Sequence, residues 1–319
     1  MLDGGGVTHD LCGETMGTGW SVRLVAPVLT ALAPLRAGIE RIFADVIAQM
    51  SHWEAGSLLS RYNAAPAGQA FDLPAAFAAV LDCALRVAAQ SQGACDPTIA
   101  PLVDLWGFGA HANLRQAPPD AAAITAARAV CGWQKLPYDP AQRRLIQPGG
   151  LRLDFSGIAK GYAVDLVARS LSLAGIRHYL VEVGGELRGC GLKPDGQPWW
   201  VALQAPPGLQ ARHVNRIALH DLSVATSGDY QRSFQYAGRL YGHTIDPRSG
   251  WPVAHDLVSV AVVHAECMHA DALATALTVL GPDEGMAHAL RIGLAARFVS
   301  AGPDGVRERL TPKFAAMLA

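Results

Sequence analysis

Leu257-Val258-Ser259-Val260-Ala261-Val262-Val263-His264 is an almost unbroken apolar run, and Ala270-Asp271-Ala272-Leu273-Ala274-Thr275-Ala276-Leu277 follows it closely. The first segment is β-branched and lacks a polar alternation, the pattern of a strand buried on both faces. The second is alanine-rich, as a helix prefers, and Gly281-Pro282 beyond it is a helix stop signal. Working outward, Trp20 to Val25 reads as a short alternating strand closed by Pro27. Ile39, Ile42, Phe43, Val46 and Ile47 give Leu35 to Met50 a helical apolar stripe. Pro74 to Gln90 and Ala121 to Val130 read as further helices, each opened by proline at a tolerated place. Leu151 to Asp154 reads as a strand end, Lys160 to Ala174 as a helix and His178 to Val183 as a strand; Trp199 to Ala205 and Arg216 to Leu219 add short strands. These elements do not alternate regularly. They predict an α+β fold of mixed sheets packed with helices, rather than a doubly wound sheet. With 319 residues, the chain has room for one large domain over residues 15–319, or for two intimately joined subdomains. Residues 1–14 read as a flexible, glycine-rich tail.

Half of the residues are hydrophobic, 17% are charged and the formal net charge is -1. With no basic tract, nucleic acid and anionic membrane surfaces are poor partners for such a chain. No apolar run reaches the length of a transmembrane helix. Cys12, Cys83, Cys95, Cys131, Cys190 and Cys267 are scattered and form no C-x-x-C pair, so they read as thiols of a reducing compartment. The N-terminus has no basic, apolar leader pattern. The expectation is a cytoplasmic location, or an exported one if a leader has been removed.

Asp271 and Thr275 are four residues apart and share one face of their helix. A carboxylate and a hydroxyl so placed are the hard oxygen ligands that Mg²⁺ prefers. The bland alternative is an acid favouring a helix dipole and a threonine bonded to its own backbone. A second patch, Leu153-Asp154-Phe155-Ser156-Gly157-Ile158-Ala159-Lys160-Gly161, ends a strand at an acid and starts a helix at a lysine. Free N–H groups at a helix start attract phosphate oxygens, the lysine adds a point charge, and Gly157 allows close approach to the main chain. The spacing is not that of a Walker loop. A turn with a solvated lysine is the alternative.

Ala225-Thr226-Ser227-Gly228-Asp229-Tyr230 and Gly242-His243-Thr244-Ile245-Asp246-Pro247-Arg248 flank a hairpin pattern. His243 has the chemistry of a general base, or is a hydrogen-bonded imidazole at a strand end. Met16 and Trp53 belong to stretches that suit either a flat aromatic ligand or a core. Glu266 and His269 give an E-x-x-H spacing, but no other helix repeats it, which argues against a di-metal centre. Serine-nucleophile motifs are absent.

Read in order, the patches resemble the ApbE family, the FAD:protein FMN transferases. The likeness rests on Met16-Gly17-Thr18; Met50-Ser51-His52-Trp53 with Ser57 to Asn63; Asp96-Pro97-Thr98 with Leu105 to Gly109; Asp154 to Asp165; Gly184-Gly185-Glu186; Thr226-Ser227-Gly228; His243 to Gly250; and Asp271 to Thr275. The resemblance implies Mg²⁺-dependent transfer of the FMN half of FAD to a threonine or serine hydroxyl of an acceptor flavoprotein, with AMP leaving. It implies Asp271, Thr275 and a main-chain oxygen of Gly157 as metal ligands. It implies Met16, Trp53, Ala94, Cys95, Asp96, Asp154, Lys160 and Ile245 as FAD contacts, with Asp96 on the ribityl or the adenosine hydroxyls. Lys160 would hold pyrophosphate oxygens. His243 is the expected base, with Asp246 as the alternative. Manganese or calcium would suit the same ligands. The rival readings are an FAD pyrophosphatase yielding FMN and AMP, and a non-catalytic FAD-binding protein. The chain departs from many relatives in Cys95, where phenylalanine is common, and in lacking a lipobox at His9-Asp10-Leu11-Cys12.

Overall fold

The reason Leu257–His264 shows no alternation is its place in the structure, a computed structural model that describes residues 6–110, 115–203, 216–228, 232–302 and 305–318. The strand is sixth in an eight-stranded sheet. In spatial order the strands are Gly6–Thr15, Thr18–Pro27, Tyr179–Val183, Glu186–Cys190, Leu222–Gly228, Leu257–His264, Ala295–Gly302 and Gly305–Leu310. Every neighbouring pair is antiparallel. Val260 and Val262 point into the main core, whereas Ala261 and Val263 join a smaller core on the opposite face. A strand wrapped on both sides has no polar face to display.

Helices Leu32–Met50, Ala75–Gln90, Ala159–Leu173 and Cys267–Arg291 pack over the main-core face, onto Val22, Leu24, Val181, Val183 and Phe298. Each fully buried aliphatic side chain there stabilises the fold by roughly 1.5–3 kcal/mol. The other face is covered by the strand pair Trp199–Ala202 and Arg216–Leu219 and by Phe314 of the short helix Pro312–Ala315. A third, aromatic cluster joins Trp106 and Phe108 to Phe234 and Tyr241 of the hairpin Ser233–Tyr236/Arg239–Gly242. The architecture is the expected mixture of antiparallel sheets and helices.

Four sequence readings need correction. The supposed tail is a strand from Gly6 onward: Gly6–Thr15 pairs residue for residue with Thr18–Pro27 and buries Leu11 and Thr15, while residues 1–5 lie outside the described residues. Leu151 to Asp154 is no ladder strand and makes one isolated bridge, Arg152 with Ile99. Its main chain is held by side chains instead, with Asn63 both donating to the Leu153 carbonyl and accepting from the Leu153 N–H. Gly281 does interrupt its helix (φ 79°, ψ -175°), but Pro282 opens a further helical run to Arg291 rather than a loop. His255 Nε2, 2.8 Å from the Thr278 carbonyl, satisfies one oxygen left at the break. The strand from Trp199 ends at Ala202, and residues 204 and 205 lie outside the described residues, as do Asp229 and Tyr230 before the hairpin.

Candidate active site

Two helices begin without a cap of their own. Neither Ile158 before Ala159–Leu173 nor Glu266 before Cys267–Arg291 offers a side-chain cap. Each is capped by an aspartate of the other helix. Asp271 Oδ2 accepts the Gly161 N–H at 3.1 Å, and Asp165 accepts the N–H groups of Cys267 and Met268 at 3.0 and 2.9 Å. These N–H groups are among those a helix start leaves unpaired. The helices approach closely at Gly161, where an added Cβ would run into the Cys267 carbonyl oxygen. So Asp271 serves a helix dipole, as its bland alternative held, but the dipole belongs to the neighbouring helix.

A cavity of about 820 Å³ opens at this crossing. One part of its wall carries Lys160, Asp271 and Thr275 from the two helices and Gly157 from the turn before the first of them. Met16, Trp53, Ala94, Cys95, Asp96 and Asp154 reach it from turns and loops, and His243 and Ile245 reach it from beyond the hairpin. The structure thus brings together the residues nominated for metal and flavin together with His243, but not Asp246, the alternative base. Met16 and Gly17 form the two-residue turn of the first hairpin, both at positive φ (51° and 73°). That is the geometry of a tight turn suited to twisted strands, and it is costly for methionine. Trp53 is 58% exposed, its ring 5.8 Å from that of His52. His243 sets its ring edge-on to Phe108 at 6.4 Å.

A buried charge cluster stands at the crossing, where Lys160 and Asp271 of the two helices are joined in the cavity lining by Glu186 of the strand Glu186–Cys190. Lys160 Nζ lies 2.7 Å from Glu186 Oε2, and the Glu186 side chain is only 3% exposed. Burial pushes the Lys160 ammonium down, but the Glu186 and Asp271 carboxylates outweigh it and hold the group above its ordinary value. Burial, followed by the Asp271 charge, raises the Glu186 carboxyl despite the pull of Lys160. Asp271 is raised by burial against the opposing effects of Lys160 and the Gly161 N–H. Two carboxylates and one ammonium sum to a net -1 when all are ionised. A buried excess of negative charge is costly unless a cation offsets it.

The oxygen groups beside that excess fit such a cation. Thr275 Oγ1 is one turn from Asp271 and 3.4 Å from Ser227 Oγ. A Cβ at Gly157 would fall 2.7 Å from Thr275 Oγ1, so the main chain passes as close to this hydroxyl as a glycine permits. Carboxylate, hydroxyl and main-chain oxygen form a hard donor set. Among the described residues no group of three or more His, Cys, Asp or Glu is placed to hold a metal. Glu266 Oε2 lies 2.8 Å from His269 Nδ1, so the two side chains of that spacing face each other.

Other nominated residues behave differently from their simplest reading. Asp246 does not line the cavity: its carboxylate is held by Arg248, with Nε 2.9 Å from Oδ1 and Nη2 3.0 Å from Oδ2. That geometry removes it as the alternative base. Asp96 lines the cavity, yet its oxygens accept from the Thr98 N–H and hydroxyl and from the Trp133 N–H. Burial raises its carboxyl above the ordinary value. Burial also pushes the Cys95 thiol up to about 12, which keeps it neutral and poorly nucleophilic. Glu186 was quoted in the sequence only as part of Gly184-Gly185-Glu186, and its pairing with Lys160 was not foreseen. Ser227, read only within Thr226-Ser227-Gly228, also lines the wall, and Arg232 does so with no sequence signal pointing to it. Gly184 and Gly185, both at positive φ (61° and 102°), make the turn that places Glu186, and they are the sequence signal that could have drawn attention to it.

Fold and cavity together define a class: an α+β ligand-binding protein whose cavity joins an oxygen-lined, charged wall to an aromatic and thioether wall. Comparison with known proteins makes the class specific. The chain belongs to the ApbE family, whose model matches residues 16–298. It is 37% identical over 305 residues to the FAD:protein FMN transferase of Vibrio cholerae, covering 95% of this chain and 91% of the relative. The Pseudomonas stutzeri flavinyl transferase ApbE, in its apo form, matches with a TM-score of 0.91 and 39% identity over 99% of this chain and 98% of its own. The Vibrio cholerae flavin transferase ApbE matches with a TM-score of 0.90 and 36% identity, covering 98% of this chain and all of its own.

Proposed function

We propose that this chain is an FAD:protein FMN transferase that moves the FMN half of FAD onto a threonine or serine hydroxyl of an acceptor flavoprotein. The observation that carries the reading is the single cavity shared by the Asp271–Thr275–Gly157 oxygens, the Lys160–Glu186 pair and the Met16 and Trp53 side chains. Its volume of about 820 Å³ lies in the upper part of the range of small-molecule sites. Asp271, Thr275 and the Gly157 main chain would hold Mg²⁺, which when bound neutralises charge at the pyrophosphate.

Lys160 lies in the first turn of its helix, where it can add a fixed positive charge to the same phosphate oxygens. Met16 and Trp53 offer polarisable and aromatic surfaces for the isoalloxazine ring. The acceptor hydroxyl oxygen forms a bond to the FMN-side phosphorus while the bond from that phosphorus to the bridging oxygen breaks. AMP leaves with the bridging oxygen and its electron pair, and the hydroxyl proton passes to the His243 imidazole. Trp53, the Met16 turn and the residues around His243 would orient the ring and the incoming hydroxyl.

Among the described residues no helix is long and apolar enough to cross a membrane. The six free cysteines support a reducing, cytoplasmic setting for the reaction.

The test is incubation with FAD and Mg²⁺, with and without an acceptor domain carrying a candidate threonine. An acceptor mass gain equal to FMN, with AMP released, is the expected result. Free FMN and AMP without an adduct would replace the transferase reading by a pyrophosphatase. Bound, intact FAD would leave only a carrier.

A further inference from the structure

Glu186 spends its burial on a lysine that has another carboxylate within its electrostatic reach. Its residue exposure is 2%, and its Oε2 receives the Lys160 ammonium at 2.7 Å. Asp271, 4% exposed, also acts on the charge of Lys160. Yet the hydrogen bond that Asp271 accepts among the described residues comes from the Gly161 main chain and not from Lys160. The lysine is therefore committed to Glu186.

We infer that Glu186 is a positioning residue that holds the Lys160 ammonium away from Asp271, and so keeps the Asp271 carboxylate available to a divalent cation. The inference deepens the proposed function and rests on reading Asp271, Thr275 and Gly157 as the cation site. Its physical basis is competition between two positive charges for one buried carboxylate. An ammonium on a flexible four-carbon stem can turn to whichever anion remains. With Glu186 neutralised, Asp271 is the remaining carboxylate in the field of Lys160. Pairing the two would satisfy both charges internally and leave a cation to displace an ion pair already formed.

The position of Glu186 fits this role better than that of a simple structural salt bridge. A structural pair would be neutral by itself, whereas this wall carries a surplus carboxylate. Glu186 is fixed as the first residue of its strand by the Gly184-Gly185 turn, so its carboxylate comes from a different element than the lysine and Asp271. An added Cβ at Gly184 would lie 2.8 Å from Thr18 Cγ2, which pins that turn against the first hairpin. The anchor for Lys160 is thus set by the sheet, independently of the two helices.

Mn²⁺ alone, titrated into the folded protein and followed by electron paramagnetic resonance, tests the inference without using activity. Glu186→Gln should weaken Mn²⁺ binding at least about tenfold, a coupling of ordinary size for neighbouring charged groups. Adding Lys160→Met to Glu186→Gln should restore binding to the wild-type value or tighter, because the competing ammonium is gone. A merely structural Glu186 would not produce that rescue. Lys160→Met alone should bind Mn²⁺ at least as tightly as the wild type, which keeps the test decisive if Glu186→Gln does not fold. Wild-type affinity in Glu186→Gln, failure of the second substitution to rescue, or weaker binding by Lys160→Met would each overturn the inference. A wild-type protein that binds no Mn²⁺ would overturn the cation site itself and this inference with it.

Discussion

The two walls of the cavity are built from different materials. The charged wall draws Lys160, Asp271 and Thr275 from two long helices and Glu186 from a strand of the large sheet. The opposite set of residues comes from turns and loops: Met16 at a hairpin tip, Trp53 after the first long helix, and Asp154 in a segment held by side chains. Asp271 and Glu186 are almost wholly buried, whereas Trp53 is 58% exposed. Groups that handle charge must hold their geometry against strong forces at low dielectric, and regular elements supply that rigidity. Groups that recognise a flat ring can use broad contact from looser segments.

If this division is right, substitutions in the charged wall should act on turnover and cation use, and those in the other wall on FAD affinity. The largest effect belongs to Asp271→Asn, which keeps an oxygen for the Gly161 N–H but removes the charge. Mg²⁺-dependent AMP release from FAD should fall on the order of 10³-fold, the scale of several kcal/mol of metal-assisted stabilisation. A loss below tenfold in that rate would break the comparison. Next comes Gly157→Ala, whose new methyl would meet the Thr275 hydroxyl. The Mg²⁺ concentration for half-maximal rate should rise about 10- to 100-fold, as when a metal ligand loses its support. An unchanged Mg²⁺ requirement in a rate titration would remove Gly157 from the site.

Trp53→Ala should be milder and of a different kind. We expect KM for FAD to rise about tenfold with kcat nearly unchanged, the signature of lost uniform binding. A drop in kcat with constant KM would instead place Trp53 with the charged wall. The smallest effect is on stability. Burial raises the Glu186 and Asp271 carboxyls in the folded chain. Their contribution is therefore fully present below the ordinary carboxylate pKa and is lost as pH rises through the folded values. Lys160 stays protonated across this window, in both the folded and unfolded chain, and adds no slope. His264 and His288, lowered by burial, act in the opposite sense, so the comparison is with Glu186→Gln/Asp271→Asn. Relative to that variant the wild-type urea midpoint in EDTA should fall between pH 5 and pH 8, and Mg²⁺ should recover part of the loss at pH 8. A midpoint difference from that variant that rises with pH in EDTA would contradict the buried excess of negative charge.

The sequence exposed much of this arrangement where local signals were strong. Leu257–His264, Arg216–Leu219 and Ala121–Val130 begin and end where their patterns predict. The break at Gly281 was equally plain, but Pro282 carries two meanings, since it ends one helix and also suits the first turn of the next. The strand Gly6–Thr15 was hidden because it lies at the sheet edge. With Leu11 and Thr15 buried and Thr8, Asp10, Cys12 and Glu14 exposed, it has little apolar alternation to read. The partnership of Lys160 with Glu186 spans 26 residues and a strand crossing, so no local spacing could announce it. By contrast, the Asp246–Arg248 fork is local, but a carboxylate two residues from an arginine looks the same in sequence whether it is held or free.

The exchanged aspartate caps have a consequence for how this site comes into being. Since Asp165 finishes the start of the Cys267 helix and Asp271 finishes the start of the Ala159 helix, neither helix is complete until the other is docked. The amides of Gly161, Cys267 and Met268 should then exchange with solvent as one cooperative unit, opening together or not at all. On that view the site is assembled in the same step that locks the two helices together, and a half-formed version of it has no long-lived existence in the folding chain.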